Sequence, residues 1–230
     1  MQNSPRLLIF DLDGTLVDSN RDLVPALNAA TASVGLAPIA MPDVGHVVGQ
    51  GALRMIERAF DFHGQQMEGG IGGPVHQNLL QLFLEHYDAH IAEETIFFPG
   101  VLTALDALST NGWQLAVCTN KYERFARKLL SELGEIERFP VITGGDTFEF
   151  KKPDPKHLTE TARLAGVDPS ACIMIGDSVN DILPAQSANI PVIAVNFGYS
   201  DVPVEELKPD TIISHFDQLA DAVDGVAGRV

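Results

Sequence analysis

The 230-residue sequence predicts an α/β fold: a parallel sheet flanked by helices and interrupted early by an all-helical insertion. Three observations carry this. Short apolar runs at residues 7–10, 115–118, 141–143, 172–175, 192–195 and 211–213 are continuous, as in strands buried on both faces of a parallel sheet. From about residue 95 these runs alternate with helical patterns at 101–108, 122–133, 155–165, 180–188 and 216–223, the order of a parallel α/β unit. Between about 17 and 93 the alternation stops.

The first run, 7–10, ends abruptly in Asp11. The stretch that follows carries three helical patterns, 21–34, 53–63 and 75–91, and no convincing strand. Between the last two, residues 64–74 hold five glycines, a composition that predicts a mobile loop. The expected division is therefore 1–16 with 94–230 for the α/β core and 17–93 for the helical insertion. Phe97 and Phe98 are expected to pack where the chain re-enters the core. Asn111-Gly112 and Gly144-Gly145 punctuate later joins, and Trp113 opens an apolar strand as a core residue.

Hydrophobic residues make up 45% of the chain, enough for a substantial core. Asp+Glu number 31 against 15 Lys+Arg, a formal charge of −16. That balance argues against general nucleic-acid binding and against an anionic membrane surface. It leaves room for one local anion site built from main-chain N–H groups, a metal and one or two cations. The two cysteines, Cys118 and Cys172, lie in apolar runs without zinc-ligand spacing and read as small buried hydrophobes. No apolar run approaches the ~20 residues of a spanning helix, and residues 1–10 are too short for a secretory signal. A cytoplasmic protein is expected, and nothing in the sequence indicates an oligomeric state.

Two acidic clusters stand out. In Phe10-Asp11-Leu12-Asp13-Gly14-Thr15 the carboxylates are at i and i+2, on one side of the chain, and Gly14 permits a sharp turn. Ligands in open α/β sheets collect beyond the carboxyl ends of strands. The second cluster, Gly176-Asp177-Ser178-Val179-Asn180-Asp181, also follows an apolar run directly. Ordinary capping of a strand or helix is the alternative for both. An all-oxygen donor set suits Mg²⁺. Thr119-Asn120-Lys121 offers donors after the run at 115–118, and Lys152 offers an ammonium before Pro153; turn chemistry is the alternative for each. His86 and His90 sit at i and i+4 without a third ligand and read as exposed helical histidines.

Taken in order, Asp11-x-Asp13-Gly-Thr, Thr119-Asn120, Lys152-Pro and Gly-Asp177-x-x-x-Asp181 resemble the haloacid dehalogenase superfamily of phosphohydrolases over essentially the whole chain. The resemblance implies a Rossmann-like core with residues 17–93 as a helical cap domain. It implies that Asp11 is the nucleophile and Asp13 the general acid and base. It implies Mg²⁺ held by Asp11, the Asp13 carbonyl and Asp177, with Asp181 close behind. Thr119, Asn120 and Lys152 would hold the phosphoryl oxygens, with Gly14 at the substrate. The superfamily's strand order would set the strands before Asp11 and Asp177 side by side.

Within that superfamily, residues 10–19, Val48-Gly49-Gln50-Gly51, Glu57-Arg58-Ala59, Phe98-Pro99-Gly100, Thr119-Asn120-Lys121, Gly144-Gly145-Asp146 and 176–181 are most similar to the bacterial phosphoglycolate phosphatases. The implied substrate is 2-phosphoglycolate, a small phosphorylated metabolite whose carboxylate needs its own partner. Arg54 and Arg58, at i and i+4, are candidates, with Gly49 and Gln50 just before them. Pairing of the arginines with Glu57 or Asp61 is the alternative, and Lys121 is the candidate in the core. A phosphatase of another small or sugar phosphate, or a sugar-phosphate mutase, would use the same two aspartates. A non-catalytic phosphate sensor is disfavoured by the filled catalytic positions, and dehalogenase chemistry by Asp13.

Overall fold

The computed structural model describes residues 6–41, 43, 47, 48 and 51–227. The chain forms two compact units, one of the described residues up to Asp18 together with those from Phe97 on, the other of Ser19–Ile96. Along the chain run β1 (Arg6–Phe10), a two-residue β2 (Val17–Asp18), helices α1 (Asn20–Ala32), α2 (Ala52–Phe62) and α3 (Pro74–Ala89), and a two-residue β3 (Ile96–Phe97). Then come α4 (Val101–Thr110), β4 (Trp113–Cys118), α5 (Glu123–Glu132), β5 (Val141–Thr143), α6 (Lys156–Leu164), β6 (Cys172–Gly176), α7 (Val179–Ser187), β7 (Val192–Val195), β8 (Thr211–Ile213) and α8 (Leu219–Ala227).

In the larger unit six parallel strands pair in the order β5-β4-β1-β6-β7-β8. Leu7, Leu8, Ile9 and Phe10 are all fully buried, which is why β1 reads as an unbroken apolar run. Leu7, Ile9, Ala116, Cys118, Cys172 and Met174 pack under Leu158 and Ala162 of α6 and Ile182 and Ala185 of α7. Alternate residues of the same strands point to the other face. From β1 the chain builds outward through β4 and β5, then crosses back to β6 and builds the other way. Right-handed crossovers therefore put α6 and α7 opposite α4 and α5. Order reverses between β1 and β6, whose register pairs Phe10 with Ile175. Ligands of such sheets bind at that reversal, beyond the strands' carboxyl ends.

In the helical unit α1, α2 and α3 pack on one another. Leu23, Leu27, Ile56, Phe60, Leu79 and Phe83 are buried there, and the Phe83 and Tyr87 rings stack at 5.9 Å. The glycine-rich segment folds as consecutive turns, with Gly70 N donating to Met67 O and Gly73 N to Gly70 O. His76 fastens it: Nδ1 accepts from Gly72 N at 2.8 Å, so Nε2 carries the proton and donates to Leu53 O at 3.2 Å. Buried Asp22 accepts from Glu94 N, Thr95 N and the Thr95 hydroxyl. His86 and His90 are half-buried rather than exposed, because their rings stack at 4.4 Å. Among the described residues no helix is long and apolar enough to cross a membrane.

Candidate active site

Asp11 and Asp177 each follow a strand directly, and the strands are neighbours in register. Asp11 N prolongs the pairing by donating to Ile175 O at 2.9 Å. The chain then turns back at Gly14, whose N–H donates to Val17 O at 3.0 Å. Gly14 has φ +83°, and a Cβ there would fall 2.6 Å from Asp177 Oδ2. Only glycine combines that conformation with that approach. Asp11, Asp177 and Asp181 each bring a carboxylate oxygen within 4.8 Å of the others, a set that could hold a metal ion.

Lys152 reaches this cluster from the loop after β5. Its Nζ donates to Asp181 Oδ1 at 2.6 Å and lies 2.9 Å from Asp11 Oδ1, the latter an ion pair rather than an aligned hydrogen bond. The lysine side chain is 1% exposed and that of Asp181 is 0% exposed. Burial pulls the ammonium's pKa down, but the flanking Asp11 and Asp181 charges prevail and hold it above lysine's ordinary value. Burial pushes Asp11 up to about 6, against the pull of Lys152. Burial likewise raises Asp177 well above the carboxylate range, with Asp181 and Asp11 adding to the shift. Without a cation beyond Lys152, the cluster resists full ionisation. Hard oxygen donors that need one more positive charge fit a divalent ion such as Mg²⁺.

Around the cluster, Thr15 Oγ1 donates to Asp177 Oδ1 at 3.2 Å and Tyr199 N to Oδ2 at 2.6 Å. The Tyr199 hydroxyl donates to Asp18 at 2.7 Å. Asp181 Oδ2 accepts from the Ser178 N–H and hydroxyl in a capping box, so capping and cluster membership coexist in one side chain. Lys152 N donates to His157 Nδ1 at 3.2 Å. That imidazole is neutral, its pKa driven down to about 3 by burial and by the Lys152 charge. Burial pushes the Cys118 thiol up to about 11 and that of Cys172 to about 12, in keeping with inert core residues.

Asp11, Asp13, Gly14, Thr119, Asn120, Lys121, Lys152, Asp177 and Asp181 all belong to the larger unit. Thr119 is buried, and its Oγ1 accepts from Lys121 N at 3.2 Å. Asn120 Nδ2 donates one of its two N–H groups to Lys152 O at 2.9 Å, so the side chain ties two loops together. Lys121 Nζ donates to both Asp13 oxygens at 2.7 Å. Arg54 and Arg58 lie on α2 of the helical unit, where Arg54 pairs with Glu57 at 2.5 Å and Arg58 donates to Val48 O at 3.2 Å. Gly49 and Gln50 lie outside the described residues. Sequence reasoning missed Tyr199 and His157, which bear on the cluster through main-chain contacts. It also assigned no role to Thr15, although that residue sits inside the first motif.

A doubly wound sheet with acidic side chains gathered at its reversal point is a site suited to a metal ion and an anionic ligand. The chain belongs to the haloacid dehalogenase-like hydrolase family, whose pattern it matches over residues 8–195. It is 48% identical over 217 residues to the phosphoglycolate phosphatase of Agrobacterium fabrum, covering 94% of this chain and 91% of that one. It is 45% identical over 213 residues to that of Mesorhizobium japonicum, covering 93% and 92%. The crystal structure of a predicted phosphoglycolate phosphatase from Haemophilus somnus superposes with a TM-score of 0.87 at 30% identity, covering 97% of this chain and 100% of that one.

Proposed function

We propose that this protein is a cytoplasmic, Mg²⁺-dependent phosphatase that hydrolyses 2-phosphoglycolate to glycolate and inorganic phosphate. The observation that carries the reading is the placement of Asp11 and Asp177 at adjacent strand ends, with Lys152 against Asp11. The relatives named phosphoglycolate phosphatase support the choice of ester. The helical unit would serve as the cap domain.

Asp11, the Asp13 main-chain carbonyl and Asp177 would hold the metal, with Asp181 behind them. When bound, Mg²⁺ supplies the charge that lets these carboxylates ionise together and polarises a phosphoryl oxygen. An Asp11 carboxylate oxygen attacks phosphorus as the bond to the ester oxygen breaks, giving an aspartyl-phosphate. Asp13 gives its proton to the departing oxygen, and glycolate leaves. The Asp13 carboxylate then takes a proton from water, whose oxygen attacks phosphorus. The bond to Asp11 breaks, and phosphate and the original carboxylate are restored. Lys152 and the Thr119 hydroxyl stabilise charge on the phosphoryl oxygens. Asn120, which also ties down the Lys152 loop, would hold a phosphoryl oxygen with its second amide N–H.

Phosphate release from 2-phosphoglycolate, ethyl phosphate and a hexose phosphate, with Mg²⁺ and with EDTA, tests this. The expected result is Mg²⁺-dependent release with the highest kcat/KM on 2-phosphoglycolate. A preference for the hexose ester, or transfer of phosphate to a sugar instead of water, would refute the substrate assignment.

A further inference from the structure

Lys121 is the second ammonium in the larger unit's carboxylate-rich region, and the reaction as written does not use it. Its side chain is only 6% exposed, and that of its partner Asp13 is 22% exposed. The main chain around Lys121 is tightly held. Its N–H donates to Thr119 Oγ1, and its carbonyl accepts from Gly145 N at 2.8 Å. Gly145 cannot yield there, since a Cβ on it would fall 2.5 Å from Asn120 O. The ammonium is thus presented from a rigid loop with two of its three N–H donors directed at Asp13.

That arrangement has a geometric consequence. A general acid must come within about 2.6–3.2 Å of the oxygen it protonates. Because Lys121 Nζ is 2.7 Å from the Asp13 oxygens, the leaving oxygen lies within about 6 Å of the ammonium. A carboxylate one methylene from the ester oxygen carries its own oxygens about 3 Å from it, on ordinary bond lengths. At that limit the remaining distance is about that of a charge-assisted hydrogen bond. An alkyl group would offer the ammonium nothing.

The geometry points to Lys121 as the residue that reads the substrate's carboxylate, by exchange: the carboxylate takes over one of the two donations now made to Asp13. The freed Asp13 oxygen takes up a proton from solvent and presents it to the ester oxygen. The inference rests on the proposed substrate. It adds that recognition of the carboxylate and alignment of Asp13 are one event, so that the substrate's own carboxylate prepares the acid that cleaves it.

The test measures kcat and KM for 2-phosphoglycolate and ethyl phosphate with the wild-type enzyme, Lys121→Met and Lys121→Arg, all with Mg²⁺. Methionine keeps the length and removes the charge. The expected result is a fall of about 10²-fold in kcat/KM for 2-phosphoglycolate in Lys121→Met, the size of a lost hydrogen bond between charged groups. The fall should appear in kcat as well as KM, since the exchange serves the transition state. Ethyl phosphate should lose less than about tenfold, which also reports that the variant is folded, and Lys121→Arg should restore part of the preference. If the wild-type enzyme does not favour 2-phosphoglycolate over ethyl phosphate, the substrate assignment itself fails. If it does, and Lys121→Met keeps that preference or loses both esters equally, the role of Lys121 is overturned while the substrate stands. A change confined to KM would overturn the exchange.

Discussion

Replacing Lys152 by methionine keeps the length of the side chain and deletes its charge. The ammonium lies 2.9 Å from Asp11 and 2.6 Å from Asp181, and the Asp181 side chain has no exposed surface. Removing one partner of a buried ion pair costs about 3–5 kcal/mol, because the other charge stays buried. The structure sets a bound on that figure. A stranded carboxylate can take a proton instead of remaining charged, and for a group of ordinary pKa 3.8 this costs about 4 kcal/mol at pH 7. At pH 5.5 the same uptake costs about 2 kcal/mol. The folded variant then holds a proton that the unfolded chain releases, so its deficit grows as pH rises, by about 1.4 kcal/mol per unit. Urea unfolding followed by circular dichroism in EDTA, for both proteins at pH 5.5 and 7, measures this directly. With Mg²⁺ present, kcat should fall by about 10²–10³-fold, the usual effect of losing a charge-stabilising donor. A stability loss below about 1 kcal/mol, or one equal at the two pH values, would show that Lys152 does not neutralise this cluster.

Asp11→Asn should abolish turnover and trapping of radiolabelled phosphate on the protein, with the fold retained by circular dichroism. Asp13→Asn should slow turnover by about 10²–10⁴-fold, and near-normal rates in either variant would remove the proposed chemistry. In the metal-free protein the raised Asp11 and Asp177 groups contribute stability below the ordinary carboxyl value, and for Asp11 it is lost as pH rises through about 6. Mg²⁺ binds the ionised forms, so its effect on the melting temperature should grow from pH 5 to pH 8, and equal shifts at both would contradict the site. At Gly198 a Cβ would fall 2.3 Å from Asp177 Cβ and 2.5 Å from Gly14 O. Gly198→Ala should therefore cost about 10²-fold in kcat/KM against about 1–3 kcal/mol of stability by urea unfolding.

What the sequence revealed follows from what burial does to composition. Strands covered on both faces have no polar side, so β1, β6 and β7 stand out as short apolar runs. A carboxylate directly after such a run is conspicuous, which made Asp11 and Asp177 legible. Asp181 was readable as a first-turn carboxylate of the next helix and as a candidate site residue, and its two oxygens face different partners, Lys152 Nζ and Ser178 N. Long-range pairings left no trace. Lys121 and Asp13 are separated by 108 positions, and Tyr199 and Asp18 by 181. Tyr199 reaches Asp177 through its main-chain N–H, a group every residue but proline carries. His157 has the spacing of any polar residue on α6, and only the fold sets it beneath Lys152 N. The helix expected at 216–223 begins instead as a 3-10 turn at Phe216–Gln218, where the His215 ring accepts from Asp217 N.

The charge balance bears on the order of binding. A chain of formal charge −16 repels a phosphate ester, yet most of that charge is distant, and salt screens it beyond about 8 Å. The site itself sets four carboxylates, Asp11, Asp13, Asp177 and Asp181, against the two ammonium groups of Lys121 and Lys152. Four against two leaves a local formal charge of −2, and both ammonium groups already have carboxylate partners. A dianionic ester entering such a site would add charge of the same sign at close range, where the effective dielectric is low. A divalent cation brings the local balance to zero before the ester arrives. Inorganic phosphate, a dianion at pH 8, serves as the probe: titrated calorimetrically, it should bind measurably with Mg²⁺ and fail to bind in EDTA. The Lys152→Met variant should fail under both conditions. Equal affinity with and without the metal would mean that main-chain donors alone hold the phosphoryl group, and that the acidic cluster has another task.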